Sequence, residues 1–156
     1  MEKIENLLLN AATNAFEQLC FMFSSPDDED TEKNLHTWVA SIVNFSGPFS
    51  GKLIVRAHKG LLNVIASNML GEDTSTTKQQ MDALGEVSNV ICGSVLPQIA
   101  GVAEVFNLEA PKILENSEPV SPQNGEKMVS VSMTLDEGQV ELQFFMKNGA
   151  ALLKEV

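Results

Sequence analysis

Two runs near the C-terminal end, Lys127 to Leu135 and Gln139 to Lys147, alternate apolar with polar residues on either side of AspGluGly. Side chains along a strand point to opposite faces at each step. Val129, Val131, Met133 and Leu135 therefore share one face, and Val140, Leu142, Phe144 and Met146 share one face of the partner. The pair is a β-hairpin with one apolar side. A lone hairpin is marginal in water, so the rest of the chain must supply more strands and something to cover that side.

A second hairpin is predicted upstream. Trp38, Ala40, Ile42 and Asn44 alternate with Val39, Ser41, Val43 and Phe45; SerGlyPro turns the chain; Phe49, Gly51, Leu53, Val55 and Ala57 alternate on the return. Trp38, with no second aromatic beside it, reads as a core or sheet-edge residue. Three helices are expected. Residues 3 to 23 carry Ile4, Leu7, Leu8, Ala11, Ala15, Leu19 and Phe23 at helical spacing, with Asn6, Asn10, Asn14 and Gln18 outward. Lys59 to Leu70 turn Leu61, Leu62, Ile65 and Met69 inward and stop at Gly71. Met81 to Gly101 put Leu84, Val87, Ile91 and Val95 in one stripe, and the ring of Pro97 would press on the carbonyl of residue 93, so this helix should kink there or stop at about Leu96. Short strand-like pieces around Val102 to Leu108 follow, then a polar connection through Pro111, Pro119 and Pro122. Helix, two strands, two helices and several strands is not the alternation of a parallel sheet. The expected class is α+β, a largely antiparallel β-sheet covered by long α-helices, in one domain over residues 1–156.

Several functions are disfavoured. Twenty-one acidic residues against ten basic leave a net charge of −11, which repels phosphate backbones and anionic lipid and argues against nucleic acid. No apolar run approaches the roughly 18 residues that span a bilayer, and MEKIENLLLN lacks the features of a secretory signal, so a cytoplasmic protein with no membrane partner is expected. GxGxxG, Walker lysine loop, GxSxG and HExxH are all missing, and no cofactor or metal of its own is expected. Cys20 and Cys92, embedded in apolar helical pattern without CxxC, read as buried free thiols. His36 and His58 have no ligating neighbours in register, and the run Asp27, Asp28, Glu29, Asp30 lacks the alternating ligands and turn glycine of a calcium loop.

The third helix carries the arrangement with most chemical interest. Glu86 and Asn89 are three apart, neighbours on the helix surface away from the apolar stripe, with Gly93 one turn further on the same face. A glycine inside a helix costs about 1 kcal/mol relative to alanine, so Gly93 requires a packing reason or a contact reason. By spacing alone the pair is a solvated polar face. Glu104 and Asn107 repeat E-x-x-N, but in a strand-like stretch where the two do not share a helical face.

PheSerGlyProPheSerGlyLysLeuIleVal, LeuLeuAsnValIleAlaSerAsnMetLeuGly and above all AlaLeuGlyGluValSerAsnValIleCysGly resemble the CheX branch of the CheC/CheX/FliY family of chemotaxis phosphatases, best from about Asn44 to Gly101. The resemblance implies that an E-x-x-N helix, here with Glu86 and Asn89, dephosphorylates the aspartyl phosphate of a CheY-type response regulator. Asn89 would orient the attacking water. Glu86 would pair with the regulator's lysine and fix docking, and Gly93 and Ser94 would let the two backbones come close. Mg²⁺ is expected in the phosphorylated partner. CheC-like members carry a motif in each half, whereas the first helix here has Leu8 three after Glu5 and Cys20 three after Glu17. A single motif fits CheX, for which the resemblance implies a homodimer joined through its sheet. The alternative is a CheX-like module that binds a response regulator or scaffolds a partner without hydrolysis. A flagellar switch component has less support, since no extra segment for motor attachment is present.

Overall fold

The structure, a computed structural model, describes residues 2–25 and 37–147. His36 and the acidic run Asp27 to Asp30 lie outside the described residues. The elements are α1 (Glu2–Cys20), β1 (Trp38–Ser46), β2 (Ser50–His58), α2 (Leu61–Leu70), α3 (Thr77–Ala100), β3 (Asn107–Leu108), β4 (Lys112–Leu114), β5 (Glu126–Leu135) and β6 (Gly138–Lys147). Both hairpins form. Trp38 lies opposite His58 and Phe45 opposite Gly51 in the first, and Val131 opposite Leu142 in the second. Antiparallel pairing of β2 with β6 fuses them into one sheet of order β3-β1-β2-β6-β5, with β4 also on β1. The expected α+β class is the observed one.

The three helices cover one face. Leu8 and Phe16 of α1, Leu62 and Ile65 of α2, and Leu84, Val87, Ile91 and Val95 of α3 meet Val43, Leu53, Val55, Leu142 and Phe144 in a single core. Fully burying such a side chain contributes about 1.5–3 kcal/mol, so this layer holds the fold. Cys20 and Cys92 are free and buried there, and burial pushes each thiol up to about 12. The folded state thus binds these protons more tightly than the unfolded chain. Their contribution is full below the ordinary thiol value of 9.0 and is lost as pH rises towards about 12. The denaturant midpoint is expected to fall across that window, and to fall less steeply in Cys92→Ala.

Several helix boundaries depart from expectation. The apolar spacing to Phe23 overshoots: α1 ends at Cys20, Phe21 takes a left-handed φ of 54°, and Phe23 is exposed. The chain leaves the helix there to run beside β5, where Ser24 bridges Leu135 and the Ser25 N–H donates to the Thr134 carbonyl at 2.8 Å. The expected stop at about Leu96 is also corrected, because α3 continues through Pro97 to Ala100. Proline removes the donor to the Gly93 carbonyl and crowds it, but the position is exposed and water can serve that carbonyl, while burial of Leu96 and Ile99 favours continuation. At its other end α3 starts at Thr77, four residues before Met81, behind a capping box in which Thr76 and Gln79 exchange side-chain and backbone hydrogen bonds of 3.1 and 2.9 Å.

The Pro-containing connection is less solvated than its composition suggests. It adds β4 to the edge of β1 and then crosses the sheet's second face, where Ala40, Ile54 and Phe145 pack with Val120 and Met128. The Gln143 carboxamide donates to the Val120 carbonyl at 2.8 Å and accepts from its N–H at 3.1 Å. Arg56, buried beside Glu141 and over the Trp38 ring, donates to the Ser117 carbonyl at 2.9 Å.

Candidate functional site

α3 is amphipathic by burial. Leu84, Val87, Ser88, Ile91 and Cys92 face the core, while Asp82, Glu86, Gly93 and Ser94 are exposed and Asn89 is half-buried. Glu86 and Asn89 therefore stand together on the outward side, as their spacing requires. Neither side chain has a hydrogen-bond or ion-pair partner among the described residues. A carboxylate and a carboxamide left without internal partners are available to a ligand. The carboxamide can at once donate through nitrogen and accept through oxygen. Ser88, buried on the opposite side, donates to the Leu84 carbonyl at 2.8 Å and is part of the helix rather than of the site.

Among the described residues Gly93 has no packing reason. A Cβ there would meet nothing within 4 Å, and neighbouring Ser94 is equally exposed, its carbonyl accepting from the Gln98 side chain at 2.9 Å. The bare stretch beside Asn89 is open to a second molecule. Gly85, one residue before Glu86, does have a packing reason: a Cβ there would lie 3.2 Å and 3.3 Å from Cβ and Cγ of Pro111. That close approach brings the segment before β4 against α3. Pro111 and Ile113 then wall a hollow of about 170 Å³ whose other side is Met81, Asp82, Glu86 and Asn89. This wall was not foreseen. The signal was a buried-face glycine beside the motif, whose partner lies far along the chain. Gly85→Val is expected to lower stability by about 1–3 kcal/mol, and Gly85→Ala by less, read as a shift in denaturant midpoint.

The other candidates separate from this site. Glu104 is exposed in a turn and Asn107 is exposed in β3, so the second E-x-x-N shares no helical face. His58 is buried with its ring edge-on to Trp38 at 4.3 Å, a packing role. Among the described residues no group of three or more His, Cys, Asp or Glu is placed to hold a metal ion, and no helix is long and apolar enough to cross a membrane.

Residues 39–134 match the family model described as chemotaxis phosphatase CheX. No curated protein sequence matches significantly. Among solved structures, the chain is similar to chemotaxis protein CheX from Desulfovibrio desulfuricans, with TM-score 0.74 and 18% identity over 93% of this chain and 99% of that one. It is similar to chemotaxis protein CheX from Vibrio vulnificus, with TM-score 0.73 and 16% identity over 93% and 97%. A third is the CheX-CheY-BeF3-Mg²⁺ complex from Borrelia burgdorferi, with TM-score 0.67 and 17% identity over 92% and 97%.

Proposed function

The chain belongs to the CheX family of chemotaxis phosphatases, whose model it matches over residues 39–134, and from that premise we propose that it dephosphorylates the aspartyl phosphate of a CheY-type response regulator with Glu86 and Asn89 of α3. The observation that carries the reading is the pairing of an exposed Glu86 with an Asn89 that has no hydrogen-bond partner among the described residues, one turn apart on a helix open to a second molecule.

In the reaction a water oxygen attacks phosphorus, the bond from phosphorus to the aspartyl oxygen breaks, and inorganic phosphate and a free carboxylate result. Phosphoryl transfer is governed by positioning and charge stabilisation rather than by covalent help. The Borrelia structure is a complex of a CheX with a CheY, BeF3 and Mg²⁺, and in this reading the metal at the phosphoryl group belongs to the receiver. This chain's part is then small. The Asn89 carboxamide accepts from and donates to the water and holds it in line; being no base at neutral pH, it orients without deprotonating. Glu86 pairs with a lysine of the receiver, a charge-assisted contact that sets the register of docking once water is excluded. Gly93 and Ser94, without bulk, let the receiver's backbone approach. The work is cytoplasmic in this reading, and the copy-to-copy contact of a homodimer falls on a sheet edge. Among the described residues β5 is paired on its outer side only at its end, by Ser24 and Ser25.

The test is the rate at which phosphorylated receiver domains from the same organism lose phosphate with and without the protein. Acceleration supports the phosphatase. A receiver that binds without being dephosphorylated faster overturns it in favour of the non-catalytic docking module.

A further inference from the structure

Glu86 borders a second hollow on the far side of its ridge from Pro111. This one, of about 330 Å³, lies between the C-terminal end of α2 and the first turns of α3, and is lined by Met69, Leu70, Gln79, Asp82, Ala83 and Glu86. We infer that it is a second docking contact for the receiver domain, taking one apolar side chain that stands beside a basic residue on the receiver. The inference rests on the proposed phosphatase reading and adds to it a contact that serves recognition and takes no part in the chemistry.

The floor is apolar and unfinished. Leu70 is 46% exposed although it sits on the core-facing helix α2, next to a half-buried Met69. A single exposed leucine is ordinary on a protein surface. Here it lines a concavity whose opposite rim is Glu86 itself, so a body seated over Glu86 and Asn89 covers the hollow as well. The rim sets the sign of the complement. Asp82 and Glu86 are four apart on α3, and Glu72 and Asp73 are exposed in the connection that follows Leu70. Lys78 pairs with Asp82 at 2.8 Å, which leaves the Glu86 charge unpaired among the described residues. An apolar floor under a negative rim favours an apolar group flanked by positive charge. The volume suits a side chain, not an added helix or strand. The hollow's continuity with Glu86 assigns that side chain to the receiver that Glu86 engages, rather than to a second copy of this chain.

Leu70→Glu tests the assignment, since an exposed position tolerates the change without unfolding. Contacts made equally in ground and transition states appear in KM, not in kcat. With a phosphorylated receiver as substrate, Leu70→Glu is expected to raise KM about tenfold or more at unchanged kcat, a split that Asn89→Ala reverses. Asp82→Lys should also raise KM, more at low salt than at high. A wild-type KM in Leu70→Glu overturns the inference while leaving the phosphatase intact. So does a KM change accompanied by a changed oligomeric state, which would give the hollow to a second copy. Where no receiver is dephosphorylated, the phosphatase reading falls by itself, and titration with a beryllofluoride-charged receiver decides the hollow separately. Binding about tenfold weaker for Leu70→Glu supports it, and equal binding overturns it.

Discussion

Asn89→Ala is expected to lower kcat for receiver dephosphorylation by on the order of a hundredfold, about 2.7 kcal/mol of transition-state stabilisation, with KM nearly unchanged. The size follows from what is removed. In the proposed mechanism alanine takes away both the donor and the acceptor that hold the water in line, and misplacement of a reacting group by about 1 Å is worth about a hundredfold. The direction of the split follows from where the contact is made. Water ordered towards phosphorus counts mainly in the transition state, so its loss appears in kcat. Stability should not move in parallel: the Asn89 side chain is half-buried and has no hydrogen-bond partner among the described residues, so its removal orphans no buried group there. Single-turnover rates at saturating enzyme, set beside denaturant midpoints of the two proteins, check both halves. A variant that turns over like wild type would remove Asn89 from the mechanism. One that loses rate only in proportion to folded fraction would make it structural.

The parts of this fold that were legible are those in which a strong local period agrees with the tertiary packing. The terminal hairpin is the clearest case: Val129, Val131, Met133 and Leu135 and the alternate residues of β6 all enter the helix-covered core. The boundaries fail where tertiary contacts override local preference. Pro97 is a stop signal by backbone chemistry, yet burial of Ile99 carries α3 past it. The second apolar face of the sheet was hidden because its cover, the segment through Ser117 and Val120, is polar and Pro-flanked. Phe145 beside Phe144 breaks the alternation, and the two rings are buried in separate clusters. β4, three residues long, takes its meaning only from pairing with Ala40, Ser41 and Ile42 far upstream.

The candidate site divides in the same way. Spacing placed Glu86 and Asn89 on one outward face, but only the resemblance gave that face a chemistry. The walls around them were out of reach, because Pro111 and Leu70 come to Glu86 through folding and not through sequence. Gly85 and Gly93 show the limit plainly. Eight positions apart on one helix, they look equivalent as helical glycines, yet one is pressed by Pro111 and the other has open space. What separates them is the neighbour across the fold.

Gly51→Ala is expected to cost about 4 kcal/mol or more, enough to leave a small domain largely unfolded. A Cβ at Gly51 would lie 1.9 Å from the Phe145 carbonyl oxygen and 2.9 Å from both the Phe145 carbonyl carbon and Cζ of Phe45. Side chains can turn away from an intruding methyl. A carbonyl in the middle of the sheet cannot, because Gly51 lies opposite Met146 and Lys52 opposite Phe145 in the β2–β6 pairing. Moving it breaks the ladder that joins the two hairpins. The phenylalanines add to the cost: Phe45 stacks on Phe144 at 5.6 Å and meets Phe49 edge-on at 5.7 Å, so displacing its ring disturbs an aromatic cluster next to β2. The consequence for function differs in kind from that of Asn89→Ala. α3 packs on β1 and β2, so an unfolded sheet removes Glu86 and Asn89 together. Activity lost in Gly51→Ala should then scale with the folded fraction and return when a bound receiver pulls the equilibrium back. A denaturant midpoint equal to that of the wild type would mean that β2 and β6 do not meet in this register.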